Sequence, residues 1–500
     1  MAKTLMIQGT GSGAGKSLLV AALCRIMRDS GYNVAPFKSQ NMALNSCITT
    51  CGGEIGRAQA LQAEAAGIDP TVDMNPILLK AQGDSGCQVI IQGRVHGSMK
   101  AREYYAFKDK AWEAARSSFD SLSKKHEMII IEGAGSPAEI NLMDVDIVNM
   151  SVAKYAGAPV LLVGDIDKGG VFASLYGTVK LLGRDSRHIR GFIINKFRGD
   201  IEILRPGLDM IRNKTGKPVV GVLPYFDRAG LPEEDGMALS VTARSTASAK
   251  DIKIVVLRLK YISNFTDFDP FTHEPDVELI YSAAPSEIEN ADMVIIPGTK
   301  NTVNDLINLR EQGLEGSILG AYKKGSMIVG MCGGYQMLGR RICDPLGIES
   351  PNREVEALGL LDIETNFETA KTTCRVEAEL HDSKFQIPDF KSSGLHGYEI
   401  HMGASCGDIG LFRLRRLPDS GDVSLDGSMK RNCWGTYIHG IFDNDAFRRG
   451  LINQLRKRKG LQEIESGVSY AKIRDDAIDN LASVVRDNID MAFVRGLLRI

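Results

Sequence analysis

The sequence predicts an α/β protein with two doubly wound parallel-sheet domains and a helical tail. Three observations carry that prediction. Short, continuous apolar runs alternate with helical patterns from residue 1 to about 240, which is how buried parallel strands and their crossover helices read. The same alternation resumes after a Ser/Thr/Ala-rich break, and each stretch places a glycine-rich turn between a strand and a helix. A chain of 500 residues needs at least two cores in any case.

The first strand is Thr4-Leu5-Met6-Ile7, and the helix after it carries Leu19, Leu23, Ile26 and Met27 on one face before ending near Gly31. Met128–Ile131, Pro159–Val163, Gly191–Asn195 and Pro218–Val222 are the next strand-like runs. The break at Ser240–Ala249 sets a boundary near 250, so 1–250 is expected to form the first domain. Ile252–Leu257, Met293–Ile296 and Met327–Gly330 open a second sheet in a domain over 251–447. From 448 to 500 the pattern is helical: Ile473, Ala477, Leu481, Val484 and Val485 follow a 3.6-residue spacing, as expected of a packed cap.

Between the first strand and helix runs Gly9-Thr10-Gly11-Ser12-Gly13-Ala14-Gly15-Lys16-Ser17. Bare N–H groups at a helix N-terminus form a phosphate cradle, so these residues are expected to bind a nucleoside triphosphate. Lys16 would neutralise β- and γ-phosphate charge, and the Ser17 hydroxyl would ligate Mg²⁺. The fit to the common pattern is offset, because Thr10 stands where a glycine is usual and Gly9 comes one residue early.

The second glycine-rich turn is Gly330-Met-Cys332-Gly333-Gly334, which puts Cys332 on a tight strand-to-helix elbow. Its thiolate is the nucleophilic form, and an adjacent helix N-terminus favours it. The Gly333 N–H is then one oxyanion donor, and Gly298, in the Pro297-Gly298-Thr299 turn, supplies a second. His439, at the end of a strand-like run starting at Cys433, is the expected base.

Composition removes other classes. A formal net charge of −2 leaves no basic footprint for nucleic acid, and Arg456-Lys-Arg-Lys459 reads as a solvated helix end. No apolar run approaches membrane-spanning length and no signal peptide precedes the first strand, so a cytoplasmic location is expected. Nine cysteines without a C-x-x-C pair argue against structural zinc.

The phosphate loop resembles the dethiobiotin-synthetase-like branch of P-loop proteins, and the carboxyl half resembles class I, triad-type glutamine amidotransferases. Their pairing is similar to the cobyric acid synthase family. Pro36–Ser46, Asn75–Lys80, Glu132–Asn141, Gly164–Gly170, Asn195–Asp200, Gly330–Gln336, His396–His401 and the His439 segment carry the likeness. It implies ATP, Mg²⁺, glutamine and a corrinoid, adenosylcobyrinic acid a,c-diamide, amidated on its b, d, e and g carboxylates. It also implies that Asn195 and Lys196 lie near the nucleobase. Glu132, on the loop leaving the Met128–Ile131 strand, is the expected second Mg²⁺ ligand; Asp165 and Asp167, after the Val160–Val163 strand, are expected to bind metal or, through water, the substrate's carboxylate-bearing edge; and Lys38, Gln40 and Asn41 are expected to face the activated carboxylate. Amidotransferases of this class commonly carry His-x-Glu, whereas Ile441 occupies that position here, leaving Glu399 or a backbone carbonyl to orient His439. Two other readings stand beside this one: a cobyrinic acid a,c-diamide synthase, and a nucleotide switch with an inactive amidotransferase-like partner.

Overall fold

Six parallel strands form the first sheet, in the order Val219–Pro224, Ile189–Phe197, Val160–Asp165, Lys3–Gly9, Met128–Glu132, Val34–Phe37. The structure is a computed structural model that describes residues 2–82, 86–226, 230–232, 250–382, 385, 387, 390, 393–418, 423–465 and 467–500. The expected break at Ser240–Ala249 lies outside the described residues. Side chains alternate across each strand, so the sheet feeds two cores. Leu5, Ile7, Leu161 and Val163 enter one, whereas Met6, Ile129, Ile131 and Leu162 enter the other. This is the doubly wound arrangement the apolar runs predict.

The second sheet runs Val277–Ser282, Ile252–Leu257, Met293–Ile296, Met327–Met331, Cys433–Thr436, Ser428–Lys430, parallel except for the last strand. Its strands end together, so the loops after Leu257, Ile296, Met331 and Thr436 converge on one edge. Ligands of open α/β sheets collect at such carboxyl ends.

Among the described residues three further sheets were not signalled by the apolar runs, the smallest of them the pair Ser46–Ile48 and Glu54–Gly56. One joins Gln40–Met42, Ile77–Gln82, Gly86–Ile91 and Arg94–Lys100 beside the first domain. Another is built on a long antiparallel ribbon, Ile363–Leu380 with Ser393–Gly407, that reaches from the second half to the first. There Thr373 Oγ1 donates to the Gly52 carbonyl at 2.9 Å and Arg375 Nε to the Ile48 carbonyl at 3.1 Å.

The tail divides between the two halves. Helix Asp445–Arg458, which crosses the expected 447/448 boundary, buries Phe447, Leu451, Ile452 and Leu455 in the second core. Tyr470–Asn488 and Met491–Leu498 return to the first half, where Ala477, Ile478, Leu481 and Val485 join the core of the Lys16–Asp29 helix. Periodicity identifies an apolar face but not what covers it. The basic run is likewise only partly solvated: Arg456 is buried, pairing with Asp251 at 2.7 Å and Asp276 at 2.9 Å.

Candidate active sites

The phosphate loop leaves the central strand of the first sheet and closes in left-handed turns at Gly13 and Gly15. Any Cβ at residue 15 would lie 2.1 Å from Asn195 Nδ2, so glycine is required both for its φ of 96° and for that approach. Lys16 Nζ donates to the Gly11 carbonyl at 2.9 Å and the Gly135 carbonyl at 3.3 Å. Asn195 donates to the Ala14 carbonyl and Lys196 to the Gly13 carbonyl, both at 2.8 Å. The two expected nucleobase-side residues therefore brace the loop from behind.

Glu132, at the end of the neighbouring strand, is a hub. It accepts from Ser17 Oγ at 2.9 Å, Lys38 Nζ at 2.7 Å, Gln62 Nε2 at 2.5 Å and Gln59 Nε2 at 3.3 Å. Ser17 and Glu132 line one cleft together with Lys16, Lys38 and Asn41. A serine hydroxyl and one carboxylate are the hard oxygen donors that Mg²⁺ takes alongside phosphates and water, so the residues present fit that ion. Among the described residues no group of three or more His, Cys, Asp or Glu converges to hold a metal.

Two expected members stand apart. Asp165 does not line the cleft and instead pairs with Lys196 at 2.7 Å, so the structure separates it from the Ser17–Glu132 donor set. Gln40 turns its carbonyl to the Tyr104 hydroxyl and is absent from the cleft wall. On an extended strand adjacent side chains point to opposite faces, which explains why Asn41 faces the cleft and Gln40 does not.

In the second half Cys332 follows strand Met327–Met331 at φ 52°, ψ −108°, a strained elbow that lifts the side chain out of the sheet. The crowding explains the glycines around it: a Cβ on residue 334 would sit 1.9 Å from the Ile296 carbonyl oxygen. The following helix, Gly333–Leu338, is only six residues long, so its end contributes little beside a neighbouring cation. Cys332 Sγ donates to the Ile400 carbonyl at 3.6 Å. Gly333 and Gly298 both border the site, with the Cα of Gly298 against His439: a Cβ there would lie 3.2 Å from the ring.

His439 shares the cavity with Cys332, and its Nδ1 is 2.6 Å from Asp267 Oδ2. Asp267 is itself buried and also accepts from the Gly440 N–H at 3.3 Å. Burial alone would lower the imidazole pKa, but the Asp267 carboxylate overrides it and, with Cys332 adding in the same direction, pushes it up to about 10. Asp267 thus favours the imidazolium form of the ring and holds its Nδ1–H. Tyr398 stacks on it at 5.2 Å.

Asp267 is the residue the sequence reading missed. The sequence leaves Glu399 or a backbone carbonyl to orient His439, yet the carboxylate arrives from Phe265–Phe268, on the loop after the Ile252–Leu257 strand. Its signal was a run of Asn, Asp and Phe directly after a parallel strand, at the edge where catalytic side chains gather. Glu399 is otherwise engaged: it binds Arg416 at 2.6 and 3.0 Å and lies 3.4 Å from His401. Burial would raise its carboxyl pKa, but His401 and Arg416 hold it below the usual carboxylate range.

The halves meet at this centre. Asn264 Oδ1 accepts from the Ser46 N–H at 3.0 Å, and its Nδ2 is 3.5 Å from His439 Nδ1. No helix among the described residues is long and apolar enough to cross a membrane.

Comparison with known proteins agrees with both halves. A model of the CobQ/CobB/MinD/ParA nucleotide binding domain matches residues 5–239, and one of the CobB/CobQ-like glutamine amidotransferase domain matches 253–447. The chain is 49% identical over 492 residues to a cobyric acid synthase from Thermodesulfovibrio yellowstonii, covering 98% of both. It is 51% identical over 509 residues to one from Thermoanaerobacter sp. strain X514, covering 100% of this chain and 99% of the relative. A third, from Syntrophobacter fumaroxidans, is 46% identical over 99% of each. The chain belongs to the cobyric acid synthase family, ATP-binding P-loop ligases of cobalamin biosynthesis that carry a glutamine amidotransferase domain.

Proposed function

We propose that the protein uses ATP and glutamine to amidate the b, d, e and g carboxylates of adenosylcobyrinic acid a,c-diamide. The observation that carries this reading is the joining, in one chain, of a Cys332–His439–Asp267 constellation to a phosphate cradle floored by Ser17 and Glu132. Full-length likeness to cobyric acid synthases supports the choice of corrinoid.

At the cysteine, the thiolate attacks the glutamine amide carbon while His439 hands its Nε2 proton to the leaving ammonia; water then hydrolyses the glutamyl thioester. Gly333 and Gly298 N–H groups receive the developing oxyanion. At the cradle, a corrinoid carboxylate oxygen takes the γ-phosphoryl group, releasing ADP. Ammonia displaces phosphate from that acyl phosphate to leave the amide. Lys16 and the loop N–H groups hold the phosphates, and Lys38 and Asn41 orient the acceptor. Mg²⁺, held by Ser17 and Glu132, would supply charge neutralisation at the transferring phosphoryl group.

The test is to supply glutamine and ATP with either adenosylcobyrinic acid a,c-diamide or cobyrinic acid, and follow glutamate, ADP and corrinoid mass. The expected result is amide gain on the a,c-diamide alone, with glutamate and ADP released in step. Amidation of cobyrinic acid would make the protein a diamide synthase, and ATP hydrolysis without mass change would make it a switch.

A further inference from the structure

The cavity beside Cys332 has a cationic wall that the thiol chemistry leaves unused. Lys300 follows the Pro297–Thr299 turn, Lys371 stands on the long ribbon, and Lys80 enters from the other half on strand Ile77–Gln82. All three line the space that holds Cys332 and His439. Lys80 belongs to the Asn75–Lys80 motif, to which neither reaction assigns a task.

The three ammoniums are not equally matched. Lys80 and Lys371 share the Glu54 carboxylate at 2.6 Å each, and Lys80 also donates to Ser46 Oγ at 2.8 Å. Lys300 donates to the Gln88 amide oxygen at 3.1 Å, a neutral partner. Among the described residues no carboxylate lies within ion-pair distance of Lys300. A desolvated ammonium whose only hydrogen-bond partner is neutral is costly, and an anionic ligand in contact with it relieves that cost. Burial, then the neighbouring Lys371 and Lys80, pushes Lys300 down to about 7, while Glu349 and Glu54 act the other way from a distance.

Placement suits a ligand that also reaches the thiol. Lys300 is one residue from Thr299, whose Cγ2 would lie 2.8 Å from a Cβ on Gly333, next to Cys332. Glu349 lines the same cavity, so a zwitterion meets both counter-charges there.

Resting on the reading of Cys332 as the glutaminase nucleophile, we propose that Lys300 binds the α-carboxylate of the attacked glutamine. The amino-terminal half completes this subsite, since Gln88 seats Lys300, while Glu54 holds Lys371 and Lys80 against the same wall. Glutamine recognition is then a property of the docked halves and not of the amidotransferase domain alone.

The test compares alkylation of Cys332 by 6-diazo-5-oxo-L-norleucine, which carries the α-carboxylate and α-ammonium, with alkylation by iodoacetamide, which carries neither. In Lys300→Met the first rate falls at least about ten-fold and the second holds, because one charge-assisted hydrogen bond to the carboxylate is lost. The KM for glutamine rises by a similar factor, more than kcat falls. Lys300→Arg recovers most of the loss, and Gln88→Leu shows the same trend more weakly. Equal slowing of both reagents, or an unchanged KM in Lys300→Met with glutamate release uncoupled from amide formation, would overturn the proposal. No labelling of Cys332 in the unaltered protein, and no glutamate release, would overturn the nucleophile assignment on which it rests.

Discussion

The two reactive centres of this chain are assembled by opposite routes. The proposed phosphate cradle is one contiguous segment, Gly9–Ser17, that works through its backbone, with Glu132 and Lys38 delivered from adjacent strand ends. The thiol centre gathers Asp267, Gly298, Cys332, Ile400 and His439 from separate loops and strands, and the other half closes it through Ser46 and Lys80. A site carried by local backbone tolerates changes elsewhere. One carried by meetings between distant side chains depends on every element that positions them.

The sharpest separation of the two comes from removing one reactive group at each. Cys332→Ser should lower glutamine-dependent amidation at least ~10⁴-fold while added ammonia restores synthesis, because only the nitrogen source is lost. Lys16→Ala should abolish synthesis with either nitrogen source, since no acyl phosphate forms. Both are read as corrinoid mass gain. Failure of ammonia to rescue Cys332→Ser would erase the division between the centres.

Asp267→Asn tests the part of the comparison that rests on distant assembly. Glutaminase kcat should fall ~10²–10⁴-fold, as expected when the group that orients and charges the imidazole is lost. The pH dependence carries the sign. Burial lowers the His439 pKa and Asp267 raises it, with a net shift from 6.5 to about 10. Without the carboxylate charge only Cys332 opposes burial, so the alkaline limit of glutaminase kcat moves down from about pH 10. Linkage adds a second readout: a raised pKa contributes stability in full below pH 6.5 that is lost as pH rises through 10, and the variant lacks that slope. An unmoved alkaline limb would remove Asp267 from the site.

The same contrast governs what the sequence made legible. Parallel strands buried on both faces are continuous apolar runs, so Ile252–Leu257 and Met293–Ile296 could be read to the residue. The Gly9–Ser17 loop and the Cys332 elbow announce themselves because backbone strain demands glycine at fixed places. Asp267 carries no such mark: it lies 172 residues from His439, and only the order of strands in the sheet brings the two together. Asp165 shows the converse, a carboxylate at the expected strand end that pairs with Lys196 and stays out of the cleft that Glu132 lines. The half-exposed strands of the ribbon were missed because polar and apolar residues mix along Ile363–Leu380.

Glu54→Gln probes the seam between the halves. The carboxylate is buried between Lys80 and Lys371, so its loss leaves two ammoniums without a counter-charge at a cost of about 3 kcal/mol. Domain unfolding should occur at lower temperature, and glutamate release should lose its coupling to amide formation. Those two ammoniums hold the Glu54 carboxyl below its ordinary pKa against the opposing effect of burial. Its stabilisation is therefore complete above about pH 4.5 and fades as pH falls through the lower folded value, a slope the variant should lack.

The smallest effect is expected where the tail grips the first half. Arg25 is buried on the Lys16–Asp29 helix and binds Asp475 at 2.6 Å, Asp479 at 2.5 Å and the Ala65 carbonyl at 3.1 Å. Unlike Glu54, it has partners that stay in water, with Asp475 and Asp479 side chains 58% and 56% exposed. Arg25→Met keeps the apolar stem and leaves no buried charge behind, so it should cost only about 1–2 kcal/mol. The measurable outcome is earlier protease cleavage before Tyr470 and a slightly lower melting temperature, with the KM for ATP unchanged. If the tail stays equally protected, apolar contacts through Ile478 and Leu481 hold it without help, and the ion pairs set only the register of the two helices.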